Sequence, residues 1–222
     1  MVKLRGRMPF ELDHFMLFVP DPAAAAALVE LDLRVGHTGP QPGTGAGHTV
    51  FFFDNTYIEI VWPEPGRDPF IDAPAMHIAE RCRDQRWCAF GLAVRPIGPP
   101  PSPLPIRTWD YTAPFLPRGA IPIPIAANSG DAEEPLIVLS LVSRRPDRRS
   151  DAPALQRSFR EVTAARVLLP GTRPFSPELE ALVDLVPLSI GRGETTLVLE
   201  LDGGLTGRRL DLRPRLPLMM TC

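Results

Sequence analysis

The sequence predicts an α+β fold assembled from repeated β-α-β-β-β units. Three observations point there. Short apolar strands dominate and helical segments are few and brief; the opening order of elements recurs in the last third; and prolines cut the chain into three pieces. The 28 prolines cluster at Pro96 to Pro105, at Pro114 to Pro124, and at Pro214 and Pro217. Proline fixes φ and lacks an amide donor, so these stretches read as extended connectors or edge segments rather than helix interiors or central strands.

The first piece opens with an apolar strand, Leu12 to Val19. Asp21 stands where an N-cap belongs, with Pro22 at the first helical position, and Ala23 to Leu31 follow as a helix rich in the best helix former. A weak strand is expected at Leu33 to Val35, and Gly39 to Gly47 is turn material. His48 to Phe53 reads as a strand, Asp54-Asn55 as a tight turn and Tyr57 to Trp62 as the hairpin partner.

Past Pro63 to Gly66, a helix is expected over Ala73 to Arg86, with His77 in its middle, and a strand over Trp87 to Arg95. Further strands are expected at Gly119 to Ala126 and Leu136 to Val142. The last third repeats the grammar: a strand at Glu161 to Leu169 ending in Pro170, a helix capped by Ser176 with Pro177 at its start, then strands at Thr195 to Leu201 and Arg208 to Leu212. The expected organisation is one compact domain, 10–222, of three units: 10–66, a proline-rich degenerate unit at 87–143, and a partial one at 160–218.

The 222 residues can bury a substantial core, with 44% hydrophobic and 23% charged residues. A net charge of −2 gives no electrostatic footprint for nucleic acid or an anionic membrane. The basic run Arg144 to Arg149 is interrupted by Asp147 and reads as a solvated loop. Cys82, Cys88 and Cys222 have no metal-site or CxxC spacing and suit reduced, buried thiols of a cytoplasmic protein. No apolar run reaches membrane-spanning length, and Glu11, Asp13 and His14 interrupt what would be the apolar stretch of an export signal. Gly43-x-Gly45-x-Gly47 leads into a strand with no following Lys, so it makes a turn rather than a phosphate loop.

Alternation sorts the candidate site. His14, Met16 and Phe18 share one strand face; Tyr57, Glu59 and Val61 share one face of the hairpin partner; His48 is in phase with Val50 and Phe52. A carboxylate between Ile58 and Ile60 is costly to bury unpaired, so Glu59 needs a cation, water or a hydrogen-bond donor. Two imidazoles and a carboxylate, His14, His48 and Glu59, are adequate ligands for Zn²⁺, Mn²⁺, Ni²⁺ or Fe²⁺; the other reading is a hydrogen-bonded pocket wall without metal. Met16, Phe52, Tyr57, Trp62 and, more remotely, Trp109 are candidates for lining a pocket for a lipophilic small molecule.

The strings LDHFMLFVPDPAAAAALV and GTGAGHTVFFFDNTYIEIVW resemble the opening unit of the glyoxalase-like domain family, within the vicinal-oxygen-chelate superfamily of glyoxalases, extradiol dioxygenases and bleomycin resistance proteins. The resemblance implies paired units whose mixed sheets curl around a cup, with helices outside. It also implies a divalent metal held by a His on the first strand and a Glu on the fourth, positions that fall on His14 and Glu59. The second unit departs from that pattern: Ala89 or Ala164 stands where a second His belongs, and Ser140 or Glu200 where a second Glu belongs. The implied function is a small-molecule enzyme of the isomerase, lyase or ring-cleaving class, with Glu59 and His14 as catalytic residues. The alternatives are a protein that sequesters a hydrophobic ligand without metal, or a non-catalytic subunit. A homodimer is expected, since such units often complete their cups by pairing.

Overall fold

The computed structural model describes residues 10–141, 156 and 158–222; the run Arg144 to Arg149 and the last expected residue of the second-unit strand, Val142, lie outside them. The chain forms two mixed sheets with few helices, an α+β fold.

The first half of the larger sheet comprises β1 (Phe10–Phe18), β2 (His37–Gln41), β3 (Ala46–Phe52) and β4 (Tyr57–Pro63). The second half comprises β5 (Phe90–Pro96), β6 (Thr108–Tyr111), β7 (Ile123–Ala126) and β8 (Leu136–Leu139). The strand order is β2-β3-β4-β1-β5-β8-β7-β6. β1 runs parallel to β4 and β5 parallel to β8, while β1 and β5 meet antiparallel at the centre. The halves are therefore topological copies, and they complete one cup within a single chain.

Several expected elements shift. The helix after β1 is a 3₁₀ turn, Pro22–Ala25, running into a short α1, Ala26–Val29. Asp21 caps it as the sequence indicates, its carboxylate accepting from the amide of Ala23. The second strand is not Leu33 to Val35 but β2, which takes in Gly39 and Pro40. A glycine and a proline are tolerated there because β2 is an edge strand, with one side free of pairing. The turn that follows uses Gly43 and Gly45 at φ of 79° and 70°, the left-handed region open to glycine.

The helix expected over Ala73 to Arg86 is a 3₁₀ turn, Pro74–Met76, and a six-residue α2, Ile78–Arg83. His77 is not mid-helix. It sits at φ 53° as the joint between the two and stacks on Trp87 at 4.4 Å. No helix lies between β5 and β6; the proline-rich segment from Ile97 to Arg107 takes that place.

The smaller sheet has order β10-β9-β11-β13-β12, from β9 (Val162–Leu169), β10 (Leu188–Arg192), β11 (Thr196–Leu201), β12 (Arg209–Asp211) and β13 (Leu218–Thr221). α3 (Pro177–Leu185) connects the parallel β9 and β10, with Ser176 Oγ accepting from the amide of Leu179 as its cap. Antiparallel β9 and β11 at the centre, each flanked by a parallel strand, repeat the middle of the larger sheet in miniature.

One face of the larger sheet, with Phe15, Leu17, Ile58, Ile60, Phe90 and Leu92, shares a continuous core with the smaller sheet and α3. The opposite face carries Met16, Phe18, Val61, Ala93 and Leu136 and forms the cup. Strand alternation assigns each residue its side, so the same four central strands build both the core and the site.

Candidate functional site

The cup encloses a cavity of about 540 Å³, within the range of pockets that hold drug-sized ligands, roughly 300–1,000 Å³. Its wall is mainly apolar, with Met16, Phe18, Phe70, Met76, Ile78 and Ile125 among the lining residues. Among the described residues no lysine or arginine lines it.

The polar part of the wall is concentrated on the first half-sheet. In the β1–β5 pairing Leu12 faces Val94 and His14 faces Ala93, which leaves Asp13 as an extra, unpaired residue. This β-bulge turns two consecutive side chains, Asp13 and His14, to the cavity. Nδ1 of His14 donates to Asp13 Oδ2 at 2.8 Å, and the Tyr57 ring stacks on the imidazole at 4.4 Å and 11°. A carboxylate can only accept, so the proton of that bond belongs to Nδ1 and the ring presents Nε2 to the cup.

Glu59 stands beside it on β4, with its residue only 8% exposed. Its Oε1 accepts from His48 Nδ1 at 2.5 Å. Its Oε2 lies 3.7 Å from His14 Nε2, beyond hydrogen-bond length. His48 in turn meets the ring of His37 edge-on at 5.2 Å. The charge between Ile58 and Ile60 is thus held by an imidazole N–H, and one carboxylate oxygen faces the cavity beside one imidazole nitrogen.

The registers identify the counterparts of these residues in the second half. Met16 pairs with Glu59 in the first, and Gly91 with Leu136 in the second. Glu59 therefore corresponds to Leu136, and His14, two residues before Met16, to Ala89. Ser140 lines the cavity but lies four residues beyond Leu136. Glu200 and Ala164 belong to the smaller sheet, away from the cup, where Thr163 Oγ1 donates to Glu200 Oε1 at 2.8 Å. Half of the implied donor set is thus replaced by apolar side chains, and Glu59 Oε1 is already engaged by His48. Among the described residues no group of three or more His, Cys, Asp or Glu is arranged to hold a metal ion. These residues do not fit a resident divalent cation.

Of the other expected residues, Met16 and Tyr57 line the cavity; Phe52 and Trp62 do not. Trp62 follows Val61 and so shares the opposite face with Ile58 and Ile60, where it covers Gly47; a Cβ there would lie 2.6 Å from the indole. Phe52 is in phase with His48 but lies at the far end of β3, packed over Gly36 and edge-on to Tyr57 at 5.8 Å. Trp109 donates its indole N–H to Ser129 Oγ at 3.0 Å instead of facing the cavity.

Sequence reasoning missed Asp13 and Tyr111. Tyr111 lines the cavity from β6, and burial, aided by the charge of Asp72, pushes its phenol above the usual range, so it is protonated. The local signal for Asp13 was its place next to His14; the bulge that turns it inward depends on pairing with β5.

Residues 12–99 match the glyoxalase-like domain family, well under half of the chain. No curated protein matches. Among solved structures, a hypothetical protein from Staphylococcus aureus is 9% identical, with 96% of this chain and 99% of that one covered at a TM-score of 0.55. A hypothetical protein from Bacillus halodurans C-125 is 13% identical over 62% of this chain and 98% of its own, with a TM-score of 0.39. Methylmalonyl-CoA epimerase from Mycobacterium tuberculosis is 17% identical over 58% and 85%, also at 0.39. At such identities the first likeness bears on the fold alone, and the other two scores support no inference about substrate. No helix among the described residues is long and apolar enough to cross a membrane.

Proposed function

We propose that this chain, whose residues 12–99 form a glyoxalase-like domain of the vicinal-oxygen-chelate superfamily, is an acid–base enzyme of the isomerase or lyase class. Its substrate is an uncharged, mainly apolar small molecule that carries a carbonyl. The observation behind this reading is the facing pair of Glu59 Oε2 and His14 Nε2, 3.7 Å apart on an apolar wall, each held from behind by a hydrogen bond from or to a second side chain.

Glu59 takes the proton from the carbon next to the carbonyl, and His14 Nε2–H donates to the oxygen that becomes an enolate. A positioned acid or base contributes roughly 10²–10⁴-fold in rate. Asp13, accepting from Nδ1, stabilises the imidazolium form that makes this donation. The apolar wall excludes water and strengthens both interactions. The absence of lysine and arginine from the described lining favours an uncharged molecule over a carboxylate or phosphate.

The test is deuterium exchange of uncharged ketones in deuterium oxide, followed by NMR, with β-tetralone as the first probe. Stereospecific exchange above the buffer rate, lost in Glu59→Gln, is the expected result. Tight uptake of the ketone with no exchange in the wild type would overturn the catalytic reading and assign the cup to ligand sequestration.

A further inference from the structure

We propose that Arg95 is a positioning residue for the site: contributed by the second half-sheet, it fixes Asp13 and, through it, the tautomer and aim of His14. This rests on the reading of His14 as the donor to the substrate oxygen.

Arg95 is 2% exposed, one of the two arginines among the largest fully buried side chains. It lies on β5 in phase with Gly91 and Ala93, on the cup side of the sheet, and pairs across the strands with Glu11. Its Nε donates to Glu11 Oε1 at 2.7 Å, and its Nη1 lies 3.2 Å from Asp13 Oδ1. The other oxygen of the same carboxylate, Oδ2, accepts from His14 Nδ1. The guanidinium and the imidazole therefore hold the two oxygens of Asp13 from opposite sides. Glu11 keeps the guanidinium itself from turning.

This arrangement matters because Asp13 is the bulge residue. It has no partner in the β1–β5 ladder, so its backbone is held less tightly than that of its neighbours. A carboxylate on a bulge, with a single hydrogen bond to an imidazole, would be free to swing and would leave His14 to exchange between tautomers. The planar fork of arginine removes that freedom in a way a flexible ammonium cannot. The second half of the cup, whose positions matching His14 and Glu59 carry Ala89 and Leu136, thus still contributes to the site. It supplies the group that orients the donor instead of a second set of donors.

The test measures imidazole ¹⁵N shifts of the full chain in wild type, Arg95→Met, Arg95→Lys and Asp13→Asn, alongside β-tetralone exchange. In the wild type neutral His14 carries its proton on Nδ1. Arg95→Met populates the Nε2–H tautomer as well, and kcat for exchange falls about tenfold with KM unchanged, the size typical of losing an outer-shell orienting partner. Arg95→Lys recovers part of both. If Arg95→Met does not fold, Asp13→Asn tests the same link: the amide oxygen turns to Arg95, the amide N–H turns to His14 Nδ1, and the ring is driven to the Nε2–H tautomer. A folded Arg95→Met protein, or Asp13→Asn protein, whose His14 retains the wild-type tautomer overturns the proposal. Exchange that survives Glu59→Gln would refute the acid–base reading and leave the tautomer result intact, so the two failures are distinguishable.

Discussion

Glu59 puts a carboxylate into a wall that is otherwise apolar, and what surrounds it determines how the protein tolerates it. His48 donates at 2.5 Å and His14 stands at 3.7 Å, so the charge is compensated by imidazoles and by no arginine or lysine. Glu59→Gln keeps an acceptor for His48 and removes the charge. Ketone exchange should fall by roughly 10²–10⁴-fold, while stability should change by no more than about 1 kcal/mol, because a buried charge contributes little net stability over a neutral isostere. Parallel exchange and urea-midpoint measurements check both halves; a large loss of stability would mark Glu59 as structural. The buried thiols make a second prediction. Burial pushes Cys82 and Cys88 up from their ordinary 9.0 to about 12. Between those values the unfolded chain ionises its thiols and the folded one does not, so the unfolded state holds fewer protons. Stability is complete below pH 9 and falls as the pH rises toward 12, by about 1.4 kcal/mol per thiol per pH unit. Melting curves at pH 8 to 11 should show the decline, and a Cys82→Ala, Cys88→Ala variant should flatten it. At this scale the phase of His14, Met16, Tyr57 and Glu59 was legible because strand alternation is local. The same alternation, carried one residue further, excludes Trp62. Arg95 was not legible, since its role depends on which residue of β1 it faces.

Short helices in this chain are held by side chains more than by their own length. α2 has six residues, too few for helix propensity to sustain it alone. Arg81 compensates. It is 1% exposed and donates to the carbonyls of Met76, Cys88, Ser129 and Glu134 at 2.9–3.1 Å, with Trp87 against its guanidinium. Desolvation lowers its pKa, yet its starting value is so high that it stays charged. One side chain therefore ties the residues before α2 to the entry of β5 and to the loop before β8. Arg81→Met removes four charge-assisted bonds and leaves four carbonyls to find other donors, which should cost at least about 3 kcal/mol. Arg81→Lys should recover only part of that, because an ammonium cannot reproduce the fork. Urea midpoints of the three proteins check the order. Elements with local signals were legible in the sequence: the Asp21 and Ser176 caps, the hairpin at Asp54-Asn55 and the apolar strands. Elements defined by partners were not. β2, β6, β10 and β13 contain glycine, proline or too few residues to stand out, and they are strands because a neighbour supplies the ladder.

On the scale of the whole molecule, the smaller sheet does for the larger one what outer helices are expected to do in this fold: it covers the face opposite the cup. Phe15, Leu17, Phe51, Ile58, Ile60 and Phe90 are fully buried and share one core with Val167, Leu197, Leu199, Leu218 and α3. Polar ties lock the two layers in place. Asn55 exchanges two bonds with the backbone of Val162, at 2.7 and 3.0 Å. Buried Glu134 accepts from the amide of Ser176 at 2.6 Å and from its hydroxyl, which places a negative charge at the N-terminus of α3 where the helix dipole favours it. The aim of His14 and Glu59 is then a property of the whole chain. Fully buried aromatic and aliphatic side chains each contribute roughly 1.5–3 kcal/mol, and a chain ending at Leu141 would return many of them to water. Such a fragment holds every residue of the candidate site. It should nonetheless bind a hydrophobic dye, lack a cooperative thermal transition and show no ketone exchange, whereas the full chain melts cooperatively. A truncated protein with a sharp transition and wild-type exchange would mean that the curled sheet stands alone and the second layer serves another purpose.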